Sequence, residues 1–137
     1  AEYRYLLTIP GFGPYISAVV LSAIADPRRF DNARQVLKLS GYDLCADRSG
    51  KRSSEAVPVI SKRGSSELRY ALYQAAHIAS VMNRYFKAYF TGLLQGRQKE
   101  RGIRTKMRVK LAAKMLVIAW AMMKSKEVFN PGRLNIV

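Results

Sequence analysis

The sequence predicts an all-α domain that contains one long basic loop. Apolar residues recur at intervals of three and four in several stretches of the 137 residues, which is the period of an amphipathic helix. Apolar residues make up 49% of the chain, which is enough for a packed core, and the length fits one domain over residues 1–137. A short strand at 57–60 is the expected exception to the helical pattern.

Two helices are predicted in the first third of the chain. The first covers residues 15–25 and follows the turn Pro10-Gly11-Phe12-Gly13-Pro14. It ends before Pro27, because proline disfavours helical geometry in the residue that precedes it. Asp31 is predicted to cap a short helix over residues 32–40, with Gly41 at its C-terminal cap.

Three further helices are predicted after the polar segment 43–66. The first begins at a cap formed by Ser65 or Ser66 and runs to about residue 83, the second covers 84–95, and the third covers 106–126. A basic connector at 96–105 separates the last two. The apolar stripe of the first of these helices is Leu68, Leu72, Ala75, Ala76, Ala79 and Met82, and that of the last is Met107, Leu111, Met115, Ile118 and Met122. The predicted parts of the domain are therefore 1–45, 46–66 and 67–128.

The net charge of +15 is unevenly distributed along the chain. Residues 1–47 hold five basic and five acidic groups, whereas residues 48–137 hold nineteen basic and four acidic groups. Such an excess indicates a polyanion as partner, either a nucleic acid or an anionic membrane surface. The membrane is the weaker alternative, because the basic residues are not confined to one face of a single helix.

Several classes of protein are excluded by composition. One cysteine, Cys45, excludes a disulfide framework and a thiolate metal cluster, and one histidine, His77, argues against a His-based zinc site. The longest apolar stretch, at 111–123, contains Lys114 and is too short to span a bilayer. We therefore expect a cytoplasmic protein without a metal site in this chain.

The turn at residues 9–17 resembles the hairpin of helix-hairpin-helix proteins, with Gly11 and Gly13 in the turn and Tyr15 at the start of the next helix. Glycines let backbone N–H groups approach a phosphate, and a helix N-terminus favours the negative charge. Such contacts give affinity for DNA without sequence selectivity. The alternative is a glycine turn between two core helices.

Three basic segments are further candidates for phosphate contacts. In the loop 48–54, Ser49 lies between Arg48 and the pair Lys51-Arg52, and spacing alone favours a loop that touches phosphate without chemistry. Lys62 and Arg63 precede the helix that carries Arg69. The segment 97–114 contains eight basic residues and one acidic residue, Glu100. Seven of the basic residues are candidates for phosphate contacts, namely Arg97, Lys99, Arg101, Arg104, Lys106, Arg108 and Lys110.

Other reactive residue types do not form an obvious catalytic group. Asp43 and Asp47 are the only close pair of carboxylates, too few for a two-metal nuclease centre. His77 is expected in the core or on a helix face rather than as a catalyst, and Cys45 as a small buried apolar group. The tyrosines at helical spacing suit packing or base stacking, and they are Tyr70, Tyr73, Tyr85 and Tyr89.

The motifs occur in an order that resembles one family. Thr8-Ile9-Pro10-Gly11-Phe12-Gly13 is followed by Arg29-Phe30, Ala33-Arg34-Gln35, Gly41, Arg48-Ser49-Gly50-Lys51, Ile60-Ser61-Lys62-Arg63-Gly64, Leu68-Arg69, Leu72, Ala75-Ala76 and Lys114-Met115-Leu116. This set resembles the C-terminal domain of the DEDD-type insertion-sequence transposases, relatives of the Piv/MooV invertases that include bridge-RNA-guided recombinases.

The resemblance implies a two-part enzyme. An N-terminal RNase-H-like domain carries four metal-binding carboxylates, and the C-terminal domain supplies a serine that attacks DNA. By motif position this nucleophile is Ser49, with Arg48, Lys51 and Arg52 stabilising the phosphate charge. The segment before Ile60 departs from the family's glycine- and arginine-rich pattern, so Ser53 and Ser54 are alternatives.

The cofactors and partners are implied in the same way. The resemblance implies that this domain needs no cofactor. The divalent metal, Mg²⁺ in the first instance, is implied for the N-terminal domain. Without that domain the chain is expected to be inactive. The implied partners are double-stranded DNA, a guide RNA and further copies of the enzyme, at the prokaryotic nucleoid. Two other classes stay open from the residues alone, namely a non-catalytic helix-hairpin-helix binding module and a basic RNA-binding accessory protein.

Overall fold

The computed structural model describes residues 2–42 and 65–136, and these residues form an all-α domain, as predicted. The helices are α1 (Glu2–Leu6), α2 (Pro14–Ile24), α3 (Ala33–Leu37), α4 (Ser66–Met82), α5 (Arg84–Leu94), α6 (Ile103–Ser125) and α7 (Arg133–Ile136), with a 3-10 turn at Pro27–Arg29. The strand expected at 57–60 lies outside the described residues.

Helix α6 is the central element of the domain. All five residues of its predicted apolar stripe are buried. Over residues 115–120 burial extends around the whole helix, because α1, α3 and α4 pack against it and the indole Nε1 of Trp120 donates to the Pro27 carbonyl oxygen at 2.8 Å. A helix buried on every side has no room for charge. The basic residues of α6 are therefore concentrated in its first half.

Helix α4 packs closely against its neighbours because its inner side is made of small residues. Ala71, Ala75, Ala76 and Ala79 are fully buried, and α4 contacts α2, α5 and α6. The prediction that also places Met82 in this buried stripe is wrong, because Met82 is 79% exposed where α4 ends and the chain turns into α5. Without long side chains between the helices, the backbones approach one another. This packing places the glycine turn before α2 directly on α4.

The helix caps follow the side-chain chemistry that the sequence suggests, with one correction. The Ser65 hydroxyl accepts from the Leu68 N–H at 3.2 Å and caps α4, as predicted. The prediction of Asp31 as a cap is wrong, because α3 begins one residue later than expected. Asn32 precedes its first residue and accepts from the Gln35 N–H at 3.0 Å.

Helix boundaries differ from the prediction at two further places. Helix α6 begins at Ile103 rather than near residue 106, since Gly102 has a φ of 71° and turns the chain directly into the helix. Helix α3 ends at Leu37 rather than at residue 40, and Gly41 follows with a φ of 79°. Among the described residues, no helix is long and apolar enough to cross a bilayer.

Candidate nucleic-acid interface

The predicted catalytic segment lies outside the described residues. This applies to the proposed nucleophile Ser49, to the alternatives Ser53 and Ser54, and to the basic residues Arg48, Lys51, Arg52, Lys62 and Arg63. Their roles stay predictions. The described residues on either side of the segment nevertheless show where it is attached.

The described residues that flank segment 43–64 lie close together near the start of α4. The Ser65 N–H donates to the Leu39 carbonyl oxygen at 2.9 Å, which holds the end of α3 against the start of α4. The Tyr42 hydroxyl donates to the Arg69 carbonyl oxygen at 2.8 Å, and Arg69 Nη1 donates to the Ser40 carbonyl oxygen at 3.0 Å. Arg69, predicted to contact nucleic acid, thus also ties the segment's entry to α4.

The buried phenol of Tyr42 makes this attachment sensitive to alkaline pH. Burial raises the pKa of Tyr42 to about 12, because the phenolate loses hydration there. The unfolded chain releases this proton near pH 10, so the stability that the protonated phenol contributes is present below pH 10 and is lost as the pH rises towards 12.

We expect the free energy of unfolding to fall more steeply between pH 8.5 and about pH 11 in the wild type than in Tyr42→Phe. At pH 8.5 the variant should be less stable by about 1 kcal/mol, owing to the lost hydrogen bond. Urea titrations at the two pH values measure both differences. Equal losses in the two proteins would show that Tyr42 does not titrate with folding.

The glycine turn before α2 is packed on α4 on one side and open on the other. A Cβ on Gly11 would lie 2.4 Å from the Ala75 carbonyl oxygen, whereas a Cβ on Gly13 meets nothing within 4 Å. The Tyr15 hydroxyl donates to Glu67 Oε2 at 2.8 Å, which raises the pKa of Tyr15. Gly11 therefore has a packing role, and Gly13 is the glycine of this turn that leaves space for a ligand.

The basic residues at the start of α6 form two rows, because positions four apart lie on one side of a helix. Lys106, Lys110 and Lys114 form one row, and Arg104 and Arg108 form the other. Lys106 and Lys110 are exposed, while Lys114 is half-buried with its Nζ 5.0 Å from the centre of the Tyr89 ring, and burial lowers its pKa. This row thus combines two exposed charges with one that is packed against a ring.

The arginine row lies against aromatic rings. The guanidinium carbon of Arg108 is 5.2 Å from the centre of the Phe90 ring and 5.9 Å from that of Tyr73, and Arg104 lies 5.6 Å from Phe90. Arg108 Nε is buried and has no hydrogen-bond partner among the described residues. Rings on α4 and α5 therefore hold these cations in place at little cost in side-chain entropy.

The connector between α5 and α6 adds further charge, one part of which is paired. Arg97 donates two hydrogen bonds to Glu100, both at 2.9 Å. Lys99 and Arg101 are exposed on the same connector. We refer to Lys99, Arg101, Arg104, Lys106, Arg108, Lys110 and Lys114 as the basic surface.

The sequence predicted the cations of this surface but not their aromatic partners. Of the four tyrosines at helical spacing, Tyr73 and Tyr89 pack under cations of this surface. Tyr70 and Tyr85 are exposed, and the ring of Tyr85 lies against its neighbour Arg84, which is not part of this surface. Phe90 was not singled out, although its position one turn after Phe86 on α5 signals a buried side. His77, expected either in the core or on a helix face, lies on an exposed helix face.

The described residues do not fit a metal ion. Within 2–42 and 65–136, no three His, Cys, Asp or Glu side chains come together as a metal site. The divalent ion implied by the resemblance is therefore assigned to no described residue, and no chemical step is derived through it.

Comparison with known families gives one match. A family model described as the transposase IS116/IS110/IS902 family matches residues 3–91. The matched region runs from α1 to the middle of α5, and includes the glycine turn and the segment that contains Ser49. A comparison with curated proteins finds no match.

Proposed function

This chain belongs to the IS116/IS110/IS902 transposase family, and from this premise we propose that it binds duplex DNA and supplies the serine that breaks and rejoins a DNA strand. The membership confirms the resemblance drawn from the ordered motifs. It supports a role in transposition or recombination.

The observation that carries the DNA-binding part is the basic surface on α6 and on the connector that precedes it. Its cations project from one helical hairpin, and two of them are fixed by Phe90. Duplex DNA presents closely spaced phosphates, and neutralising them releases counterions. The surface lies beyond the residues matched by the family model, so this support is independent of the match.

The catalytic part of the proposal concerns Ser49. Its hydroxyl oxygen attacks a backbone phosphorus and forms a new P–O bond, while the bond to one deoxyribose oxygen breaks. The serine loses its proton and the departing deoxyribose oxygen gains one. The number of phosphodiester bonds is conserved, so the reverse attack rejoins a strand without an added energy source. Arg48, Lys51 and Arg52 would stabilise the negative charge that develops on the phosphate oxygens.

The remaining components belong to the whole enzyme. We propose that an RNase-H-like domain provides the metal-binding carboxylates and the divalent metal, Mg²⁺ in the first instance. Two or more copies would act together, since recombination joins two DNA sites, and a guide RNA is a further partner. An enzyme that acts on DNA in this way would be associated with the prokaryotic nucleoid.

The salt dependence of binding tests the DNA-binding part. For duplex DNA, the slope of log K against log salt concentration is about −0.9 for each neutralised phosphate. We expect the double variant Lys106→Gln, Lys110→Gln to reduce the magnitude of this slope by about 2 and to weaken binding on a random 30-base-pair duplex. Fluorescence anisotropy at several salt concentrations measures both quantities.

The matched control is Lys124→Gln, Lys126→Gln, which changes the net charge by the same amount. Lys124 lies on α6 about 20 Å from Lys110 along the helix axis, beyond the screening length of about 8 Å at physiological salt. We expect the control to keep the wild-type slope to within about 0.5. Equal changes in both variants would contradict the assignment of the DNA-binding surface to the start of α6.

A further inference from the structure

A cavity of about 510 Å³ lies between α2 and the start of α4. Small side chains line it on the side of α2, namely Ala18, Ser22 and Ala23, and they leave this space between the helices. Glu67 lines it on the side of α4, and Tyr15, which is 58% exposed, forms a further part of the wall. A cavity of this size admits a planar ring system that carries several polar groups.

The cavity lies beside the two features that are proposed to contact the DNA backbone. Leu39 and Ser65, which flank the segment with Ser49 and share a backbone hydrogen bond of 2.9 Å, both line it. Tyr15 follows Gly13, the open glycine of the turn before α2, by two residues. A group bound in the cavity would therefore lie close to a DNA strand held by the turn and the segment.

The charge of the cavity argues against a phosphate as its occupant. The chain carries +15, yet none of the described residues that line this space is Lys or Arg. The charged group there is the carboxylate of Glu67, which repels a phosphate and accepts hydrogen bonds from N–H groups. The occupant that fits is a neutral group with N–H donors.

Tyr15 and Glu67 are held in a fixed arrangement. The Tyr15 hydroxyl donates to Glu67 Oε2 at 2.8 Å, so the aromatic ring and the carboxylate lie side by side. An ionised carboxylate has about four acceptor sites, and this bond uses one, which leaves both oxygens able to accept from a ligand. Proteins bind unpaired nucleobases with this combination, because the ring stacks on the base and a polar group bonds to its edge.

We propose that this cavity binds an unpaired guanine base of the DNA, stacked on Tyr15, with N1–H and N2–H donating to the Glu67 carboxylate. Guanine presents two neighbouring donors on this edge, whereas thymine presents carbonyl oxygens on both sides of its single N–H. These donors are free only when the base has left the duplex, and the exchange of strands unpairs bases near the broken bond. The inference rests on the proposed binding of DNA and adds a base preference to it.

Duplexes that differ in one unpaired nucleotide test this preference. Two duplexes of about 30 base pairs carry a single unpaired dG or dT in the same position, and fluorescence anisotropy measures their affinity for this chain. We expect the dG duplex to bind about tenfold more tightly, because a site built for hydrogen bonds rejects a base that cannot form them. Deoxyinosine in place of dG lacks the 2-amino group and should weaken binding by about threefold or more.

Variants of the two wall residues test which groups are responsible. Glu67→Gln replaces one acceptor oxygen by a donor, so the preference for dG over dT should fall to within about twofold. Tyr15→Leu removes the stacking ring and should weaken binding of the dG duplex by about tenfold. Tyr15→Phe keeps the ring and should stay within about threefold of the wild type. Circular dichroism checks that each variant is folded.

Equal affinities of the wild type for the dG and dT duplexes would overturn the inference, and so would a preference for dG that persists in Glu67→Gln. The fully paired duplex separates this result from a failure of the proposed function. A wild-type chain that binds the paired duplex and shows no base preference contradicts the base site alone. A chain that does not bind the paired duplex contradicts the proposed DNA-binding function.

Discussion

Replacing Ser49 by alanine in the full-length transposase is expected to abolish strand cleavage and recombination, with a loss on the order of 10³-fold or more. The substitution removes the oxygen that would form the bond to phosphorus and leaves every cation in place. DNA affinity should therefore stay within about twofold of the wild type, since backbone contacts provide it. A plasmid recombination assay and a binding titration on the same preparation measure the two effects.

Ser53→Ala and Ser54→Ala are the matched controls, because they remove the same hydroxyl group four and five residues further along. Both should keep activity within about threefold of the wild type. Wild-type recombination by Ser49→Ala would refute the assignment of the nucleophile. Loss of activity in Ser53→Ala or Ser54→Ala, with Ser49→Ala unaffected, would move the role to that serine.

Replacing Gly11 by alanine is expected to destabilise the domain by about 3 kcal/mol or more. The new Cβ would lie 2.4 Å from the Ala75 carbonyl oxygen, and the φ of 89° is unfavourable for any residue with a side chain. The Ala75 carbonyl oxygen belongs to the backbone of α4, so it cannot move away from the new Cβ unless the helix shifts. Urea unfolding followed by circular dichroism measures the loss.

Gly13→Ala is the control within the same turn. Its φ is −86° and its Cβ would meet nothing within 4 Å, so the loss of stability should stay below about 1 kcal/mol. If the turn contacts phosphate, Gly13→Ala weakens DNA binding in a folded protein. A Gly11→Ala variant as stable as the wild type would contradict the close packing of the turn on α4.

The helices could be predicted where apolar residues recur along the chain with the period of a helix. The stripe from Met107 to Met122 has the period of one helix face, and every member of it is buried. The burial of residues 115–120 of α6 on every side was not predictable, because it results from helices far away in sequence that pack around Trp120. Helix α1, with only five residues, is too short to show a period.

The charged residues of the candidate site could be predicted from the sequence, whereas their arrangement in space could not. Lys106 and Lys110 could be named from composition, since exposed cations need no specific neighbours. The fixing of Arg108 by Tyr73 and Phe90 depends on how α4, α5 and α6 pack, which local sequence does not contain. The attachment of Tyr42 to the Arg69 carbonyl spans 27 residues and escaped prediction for the same reason.

The glycine turn shows how one motif can serve two purposes. Both glycines were predicted as phosphate contacts from the resemblance to a hairpin motif. In the structure, the requirement for glycine at position 11 is explained by the backbone of α4, and position 13 stays open. The sequence pattern alone does not separate a residue that must be small for packing from one that must be small for a ligand.

The central claim, that Ser49 forms a covalent bond to DNA, is tested most directly by mass spectrometry of a trapped cleavage complex. The full-length enzyme is incubated with a DNA substrate in which the fragment released by cleavage dissociates. The remaining covalent complex is then digested with nuclease and trypsin. Trypsin cuts after Arg48, Lys51, Arg52 and Lys62, which places Ser49 in peptide 49–51 and both alternative serines in peptide 53–62. We predict a nucleotide linked through phosphate to peptide 49–51, and its appearance on 53–62, or on neither peptide despite active cleavage, would contradict the claim.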